Sequence, residues 1–333
     1  MAAIPMGFPA DHQLVAFLVA MLAAALMGFA IQQGGTCMVG AVSQIVTECR
    51  TGRAMALAEC CLWVVALGMA GLVAGLHFQA SPAFPVDFMV ATGGLLLGFG
   101  AWLNDACVFG SIARIGNRDF NYLFTPPGYF LGSLTHARFA GDGLPSMPMS
   151  PLPGKATVLL LLLFAGSVIV SLRQLRALQR SGLKRRQLWD YRHATITIGI
   201  AFVALAVLAG PWTYTEALWR AAHRRSMPSL GDIVLFAALL AGAVIGGRKI
   251  ARTVKLSARR ALFCLIGGAL MGLGAALVPG GNDNLILAGL PWLQPHAWLA
   301  IGAMALTIAA GLLVGRVWRK LFQAGFESRA SRV

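Results

Sequence analysis

The chain has 333 residues, of which 58% are hydrophobic and 12% charged, with a mean hydropathy of +0.72. A soluble domain of this length has no interior large enough to hide so much apolar surface, so the composition excludes a soluble globular protein and indicates an all-α polytopic membrane protein. The formal net charge of +15 does not indicate a nucleic-acid partner, because the basic residues fall in short clusters between apolar segments, as in cytoplasmic loops.

Hydropathy predicts nine membrane helices in chain order, near 13–31, 54–76, 88–106, 121–139, 156–175, 191–209, 230–248, 261–279 and 296–316. The first begins after Asp11 with no Lys or Arg before it, so it reads as a spanning helix and not as a secretory signal. The fourth is interrupted by Pro126, Pro127 and Gly128 and ends at Arg138.

The cations set the orientation. With the N-terminus outside and the C-terminus cytoplasmic, the inner segments hold Arg50 and Arg53, Arg114 and Arg118, the run Arg173 to Arg192, Arg248 to Arg260, and the tail from Arg316. The connections at 77–87 and 280–295 carry no Lys or Arg. Arg220, Arg224 and Arg225 break the rule by falling outside: either the helix count is off by one there, or they snorkel to lipid headgroups, or they form a funnel for an anion.

The two halves share a phrase. Residues 93–103 match 267–277 at seven of eleven places, an offset of 174 residues. Each helix's counterpart lies five helices further along the chain, and an odd step reverses direction, so the repeat is inverted. This divides the chain into a first membrane repeat (1–150), a connector helix with a basic cytoplasmic loop (151–190), and a second, inverted repeat (191–333).

Each half has two breaks followed by a short helical pattern. They are Gly34-Gly35-Thr36-Cys37 before MVGAVSQIV, Asn104-Asp105-Ala106-Cys107 before VFGSIARI, Gly210-Pro211-Trp212-Thr213 before YTEALW, and Gly280-Gly281-Asn282-Asp283 before NLILAGL. Thr36, Asp105, Thr213 and Asn282 are the expected N-caps. Half-helices whose N-termini meet near the midplane would offer free amides and positive dipole ends, an arrangement suited to an anion. The spacings Gly94/Gly98 and Gly268/Gly272 are expected to serve helix packing.

Six cysteines lack CxxC or zinc spacing, which points to neither a disulfide scaffold nor a metal site. Cys49, Cys60, Cys61 and Cys264 read as small buried hydrophobes. Cys37 and Cys107 each follow a repeated glycine by nine residues, Gly28 and Gly98. A neutral thiol is a weak, polarizable donor that holds a soft sulfur anion loosely enough to release it. Asp105 and Asp283 are the next intramembrane polar candidates, with N-capping expected of Asp105. Glu59, Glu216, His77, His136 and His296 lack triad or ligand spacing and are expected to be interfacial or locally paired.

The phrases GGTCMVGAV, GGLLLGFGAWLNDACVFGS, GPW and GGALMGLGAALVPGG resemble the repeats of the YeeE/YedE family of sulfur-compound transporters, in family order and over most of the chain. The resemblance implies a bacterial inner-membrane permease, free of cofactors, for uptake of a small thiosulfate-like anion through a thiol-lined constriction. Membrane lipid and a cytoplasmic sulfur-carrier protein are its implied partners. The pathway then comprises Cys37, Cys107, Gly35, Thr36, Asp105, Trp212, Gly280, Gly281 and Asn282. The family's late motif reads GGC, whereas here Gly280-Gly281 is followed by Asn282-Asp283-Asn284, so one relay thiol is missing. Two alternatives are a membrane-embedded persulfide-relay enzyme and a non-transporting assembly subunit. A nucleophilic thiol needs a base or cation, and neither cysteine has one adjacent in sequence.

Overall fold

The computed structural model describes residues 10–76, 82–139, 154–180, 189–248 and 253–330. Helices α1 (Ala10–Gly34), α2 (Met38–Glu48), α3 (Gly52–Val73), α4 (Phe88–Asn104) and α5 (Val108–Gly116) are followed by a 3-10 turn at Phe120–Phe124 and by α6 (Thr125–Phe139). After α7 (Gly154–Arg180) come α8 (Tyr191–Ala209), α9 (Tyr214–His223), α10 (Leu230–Gly247) and α11 (Ala258–Leu277). The short α12 (Asn282–Asn284) runs into a π turn at Leu285–Gly289, and α13 (Pro295–Ala330) completes the fold. No strand occurs among the described residues, as lipid demands of an open chain that must satisfy its own amides.

Among the described residues, eight helices are long and apolar enough to cross a membrane on their own. The predicted fourth span falls short of that length. The chain at 120–124 is a 3-10 turn, Pro126 and Pro127 occupy the first turn of α6, and only 15 helical residues remain. This short helix lies against α11 and α9.

Glycine sets the packing. On α4 and α11, a methyl at Gly100 would stand 2.6 Å from Gly267 O, and one at Gly267 would stand 2.8 Å from Gly100 O. Gly93 and Gly274 face each other in the same way. Contacts that pair 93 with 274 and 100 with 267 make the two helices antiparallel. The sequence offset carries each of these pairs onto the other.

Gly94 and Gly98 abut the carbonyls of Ala300 and Met304 on α13, while Gly268 and Gly272 abut those of Thr125 and Tyr129 on α6. Both GxxxG spacings therefore serve close backbone approach, which is the main attraction open to helices in lipid. The wider contacts are matched too: α1 packs on α10 as α8 packs on α3, α6 on α11 as α13 on α4, and α6 on α9 as α13 on α2.

Helix α7 stands apart, packing on α3 through Trp63, whose indole N–H donates to Ser167 Oγ at 2.9 Å and whose ring meets Phe164 edge-on. Glu59 is locally paired, as expected, by Arg192 and Ser167. A cavity of about 910 Å³ is an almost wholly apolar groove between α2, α3, α7, the π turn and α13; it is lined by neither Cys37 nor Cys107.

Gly100→Ala is expected to wedge α4 from α11 at a cost of about 1–3 kcal/mol and to lower the thermal unfolding midpoint in detergent. Gly302→Ala, whose added methyl meets nothing, should hold or raise that midpoint.

Candidate transport site

The four sequence breaks are the places where the chain interrupts its long helices. Gly35 takes a left-handed φ of 55°, and the amides of Gly35 and Thr36 return to Gln32 O and Ile31 O, closing α1. Asp105 does the same for α4 at φ 55°, with its own and the Ala106 amides returning to Trp102 O and Ala101 O. Each closure turns the chain sharply so that a second, shorter helix starts inside the protein.

Two of these starts meet. Cys37 is the N-cap of α2 and Cys107 the N-cap of α5, and each sulfur lies against the first turn of the other helix. Cys107 is fully buried and Cys37 half-buried. The Met38 amide at the head of α2 donates to Cys107 Sγ at 3.1 Å. Reciprocally, the Cys37 sulfur lies over Gly110 of α5, where a methyl would stand 2.5 Å from it. Each sulfur thus covers the start of the other helix.

The N-cap expectations need correction at three of four positions. Cys37 caps α2 in place of Thr36, whose buried hydroxyl has no partner. Asp105 is the C-cap of α4; its largely exposed carboxylate pairs with Arg114 at 3.2 Å and lies 4.0 Å from Arg260. An Asp tolerates the left-handed turn, and that turn sends its side chain to the surface. Gly281, not Asn282, caps α12, leaving Asn282 completely buried with both amide atoms unpartnered. Thr213 caps α9 as expected, its hydroxyl accepting from the Glu216 amide at 3.2 Å.

The second half supplies the neighbouring polar groups. Tyr214 OH donates to Val108 O at 3.1 Å, tying α9 to the head of α5. Thr215 Oγ donates to Asp283, which also accepts from the Asn284 amide at 2.9 Å. Tyr129 OH stands beside these groups without a partner. Trp212 is buried and donates to Asp232 at 3.1 Å. Gly280 and Gly281 form the adjoining turn, the Gly280 amide returning to Ala275 O.

Sequence reasoning missed Arg53, which it read only as a topology cation. Arg53 shares a narrow cleft, about 10 Å³, with Gly34, Gly35, Thr36, Cys37 and Tyr191. Its guanidinium reaches Gly40, next to the Cys37 side chain. Fifteen residues separate it from Cys37, so only folding brings the cation to the thiol.

The outer arginines do not act alike. Arg220 pairs with Asp232 at 3.5 Å, Arg225 donates to Ala137 O at 3.3 Å, and Arg224 is exposed. Among the other cysteines, Cys60 and Cys264 are buried as expected, and half-buried Cys61 donates to Ile286 O at 3.1 Å. Cys49 departs from expectation: it is exposed in a left-handed turn at the end of α2. His77 lies outside the described residues.

A multi-pass helical bundle whose broken helices bring thiols and unpartnered polar groups together in its interior has the construction of a membrane transport protein. The family model for sulphur transport matches residues 33–310, and the chain belongs to that family, the YeeE/YedE sulfur-compound transporters. A search of curated proteins finds no match.

Mild oxidation is expected to join Cys37 and Cys107 in a disulfide, read as a cross-linked peptide two hydrogens lighter by mass spectrometry. Gly110→Ala, which displaces the Cys37 sulfur, should suppress that peptide.

Proposed function

We propose that this protein is a permease for uptake of a small sulfur-containing anion of the thiosulfate type, and that Cys37 and Cys107 form its constriction. The observation that carries the reading is the meeting of Cys37 and Cys107 at the crossed starts of α2 and α5, each sulfur set against the other helix. Helix N-termini favour negative charge, and weak thiol donors let an anion leave as readily as it arrives. The reciprocal glycine pairs of α4 and α11 support an inverted repeat of 1–150 and 191–333 joined by the 151–190 connector. In that scheme α2, α5, α9 and α12 begin near the midplane.

With the N-terminus outside, Arg224 and Arg225 draw anions to the outer face, while Arg53 receives them below Cys37. The orphaned Thr36 hydroxyl and Asn282 amide, both buried, are further donors along the route. Asp105 lies at the inner mouth, where Arg114 and Arg260 offset its charge. A sulfur-carrier protein at the basic inner face would accept the cargo.

Radiolabelled thiosulfate uptake into proteoliposomes tests the reading. Removing one thiol hydrogen bond, worth about 1 kcal/mol, should slow uptake at least about fivefold in Cys37→Ala and in Cys107→Ala. Unchanged uptake in both would overturn the constriction. Intact mass after exposure to thiosulfate should not change; a sulfur adduct on Cys107 would instead support a covalent relay.

Gly281→Cys is not expected to restore a third thiol by itself. Its Cβ would fall 2.7 Å from Asp283 Oδ1 and 2.8 Å from Tyr129 OH, with Thr215 Oγ closer still. Combining it with Thr215→Ala should recover protein yield lost in the single variant, measured by monodisperse elution in detergent.

A further inference from the structure

We infer that Asp283 is a proton-binding site that couples anion passage to proton movement, in a buried nest shared with Thr215, Tyr129 and Asn282. The inference rests on the transport reading above. It begins from the place where this chain departs from its family's motif: beyond Gly281, where a thiol is expected, stands an ionisable carboxyl.

Asp283 is 1% exposed and has no Lys, Arg or His partner among the described residues. Thr215 Oγ, Asp283 Oδ1 and Tyr129 OH converge on the point where Gly281 lacks a Cβ. Two of the residues around it are completely buried with polar atoms left over: Tyr129, whose hydroxyl has no partner, and Asn282, with both amide atoms free. Such groups are expensive to bury unless something visits them.

The titratable surroundings are acidic. From α9, Glu216 and Tyr214 lie within electrostatic reach of Asp283, as does Tyr129 from α6. Tyr214 links onward to Cys107 of the constriction. Glu216 also faces Arg220 and Asp232, which pair with each other. Helices α3 and α13, packed on the following π turn, contribute Cys61, bonded to Ile286 O, and His296, which accepts from the Phe84 amide.

A carboxylate in this nest repels an anion approaching the thiols, whereas the neutral acid does not. The carboxylate therefore takes up one proton before the anion passes and releases it on the far side. No bond other than O–H forms or breaks. Glu216 lies within electrostatic reach of both the Arg220–Asp232 pair and Asp283, as a proton relay would.

The test uses the full chain in proteoliposomes with the membrane potential clamped and sodium replaced by choline. Counterflow of labelled thiosulfate, with no gradient, reports transport alone. Accumulation under a one-unit pH gradient, acid outside, reports coupling. One proton per anion multiplies the wild-type accumulation ratio about tenfold. Asp283→Asn should keep counterflow above that of empty vesicles and bring the ratio back to one. Thr215→Val, which removes a donor to the carboxylate, should keep accumulation and move its pH midpoint upward.

Wild-type counterflow without pH-driven accumulation overturns the coupling and leaves the transport reading intact, and so does accumulation that follows a sodium gradient. Accumulation retained in Asp283→Asn overturns the assignment to Asp283. Absence of wild-type counterflow overturns the transport reading itself.

Discussion

The fold depends on backbone meeting backbone where α4 crosses α11. Lipid tails solvate leucine as well as another helix does, so apolar side chains alone give two membrane helices little reason to associate. Gly93, Gly100, Gly267 and Gly274 remove the side chains from the crossing and allow the carbonyl of one helix to sit against the Cα of the other. The same helices use their other glycines, 94 and 98 or 268 and 272, to take on α13 and α6. One pair of helices therefore organises much of the interior, and each of them ends at a break that feeds a short helix: α5 in one half and α12 in the other.

The breaks turn this architecture into a site. A membrane helix that stops halfway leaves amides with no carbonyl to accept them, and these must find partners inside the protein. Here a sulfur atom supplies one of them, Cys107 accepting from Met38 across the helix boundary. Sulfur is a poor acceptor and a poor donor, so the bond meets the local requirement without locking the interface. The second half meets the same requirement with oxygen, Thr213 accepting from the Glu216 amide and Asp283 from the Asn284 amide. The two halves share a plan and differ in chemistry.

Much of this was legible in the sequence. Hydropathy marked the long helices, Gly-rich phrases marked their breaks, and the phrase shared by 93–103 and 267–277 picked out α4 and α11, although not that they pack on each other. The two thiols were legible as a pair because each follows the same glycine at the same distance. What failed was local. Caps were assigned by residue type, yet the left-handed turns at Gly35 and Asp105 move the helix start two residues on, to cysteine. The fourth predicted span is shorter as a helix than read, because the chain enters it through a 3-10 turn and two prolines. The Thr215–Asp283–Tyr129 nest joins segments tens of residues apart, and Arg53 meets Cys37 only across a helix boundary, meetings that no spacing rule foretells.

The meeting of Cys37 and Cys107 has a consequence for the membrane as a barrier. Under the proposed reading, sulfurs set against each other's helices leave little aperture for a polyatomic ion, and the resting protein would be shut against the flow of ions down their gradients. Opening would mean parting α2 from α5, where Gly110 under the Cys37 sulfur makes the seam thin. Turnover would then follow how often the seam breathes, and leak-tightness how fully it closes again.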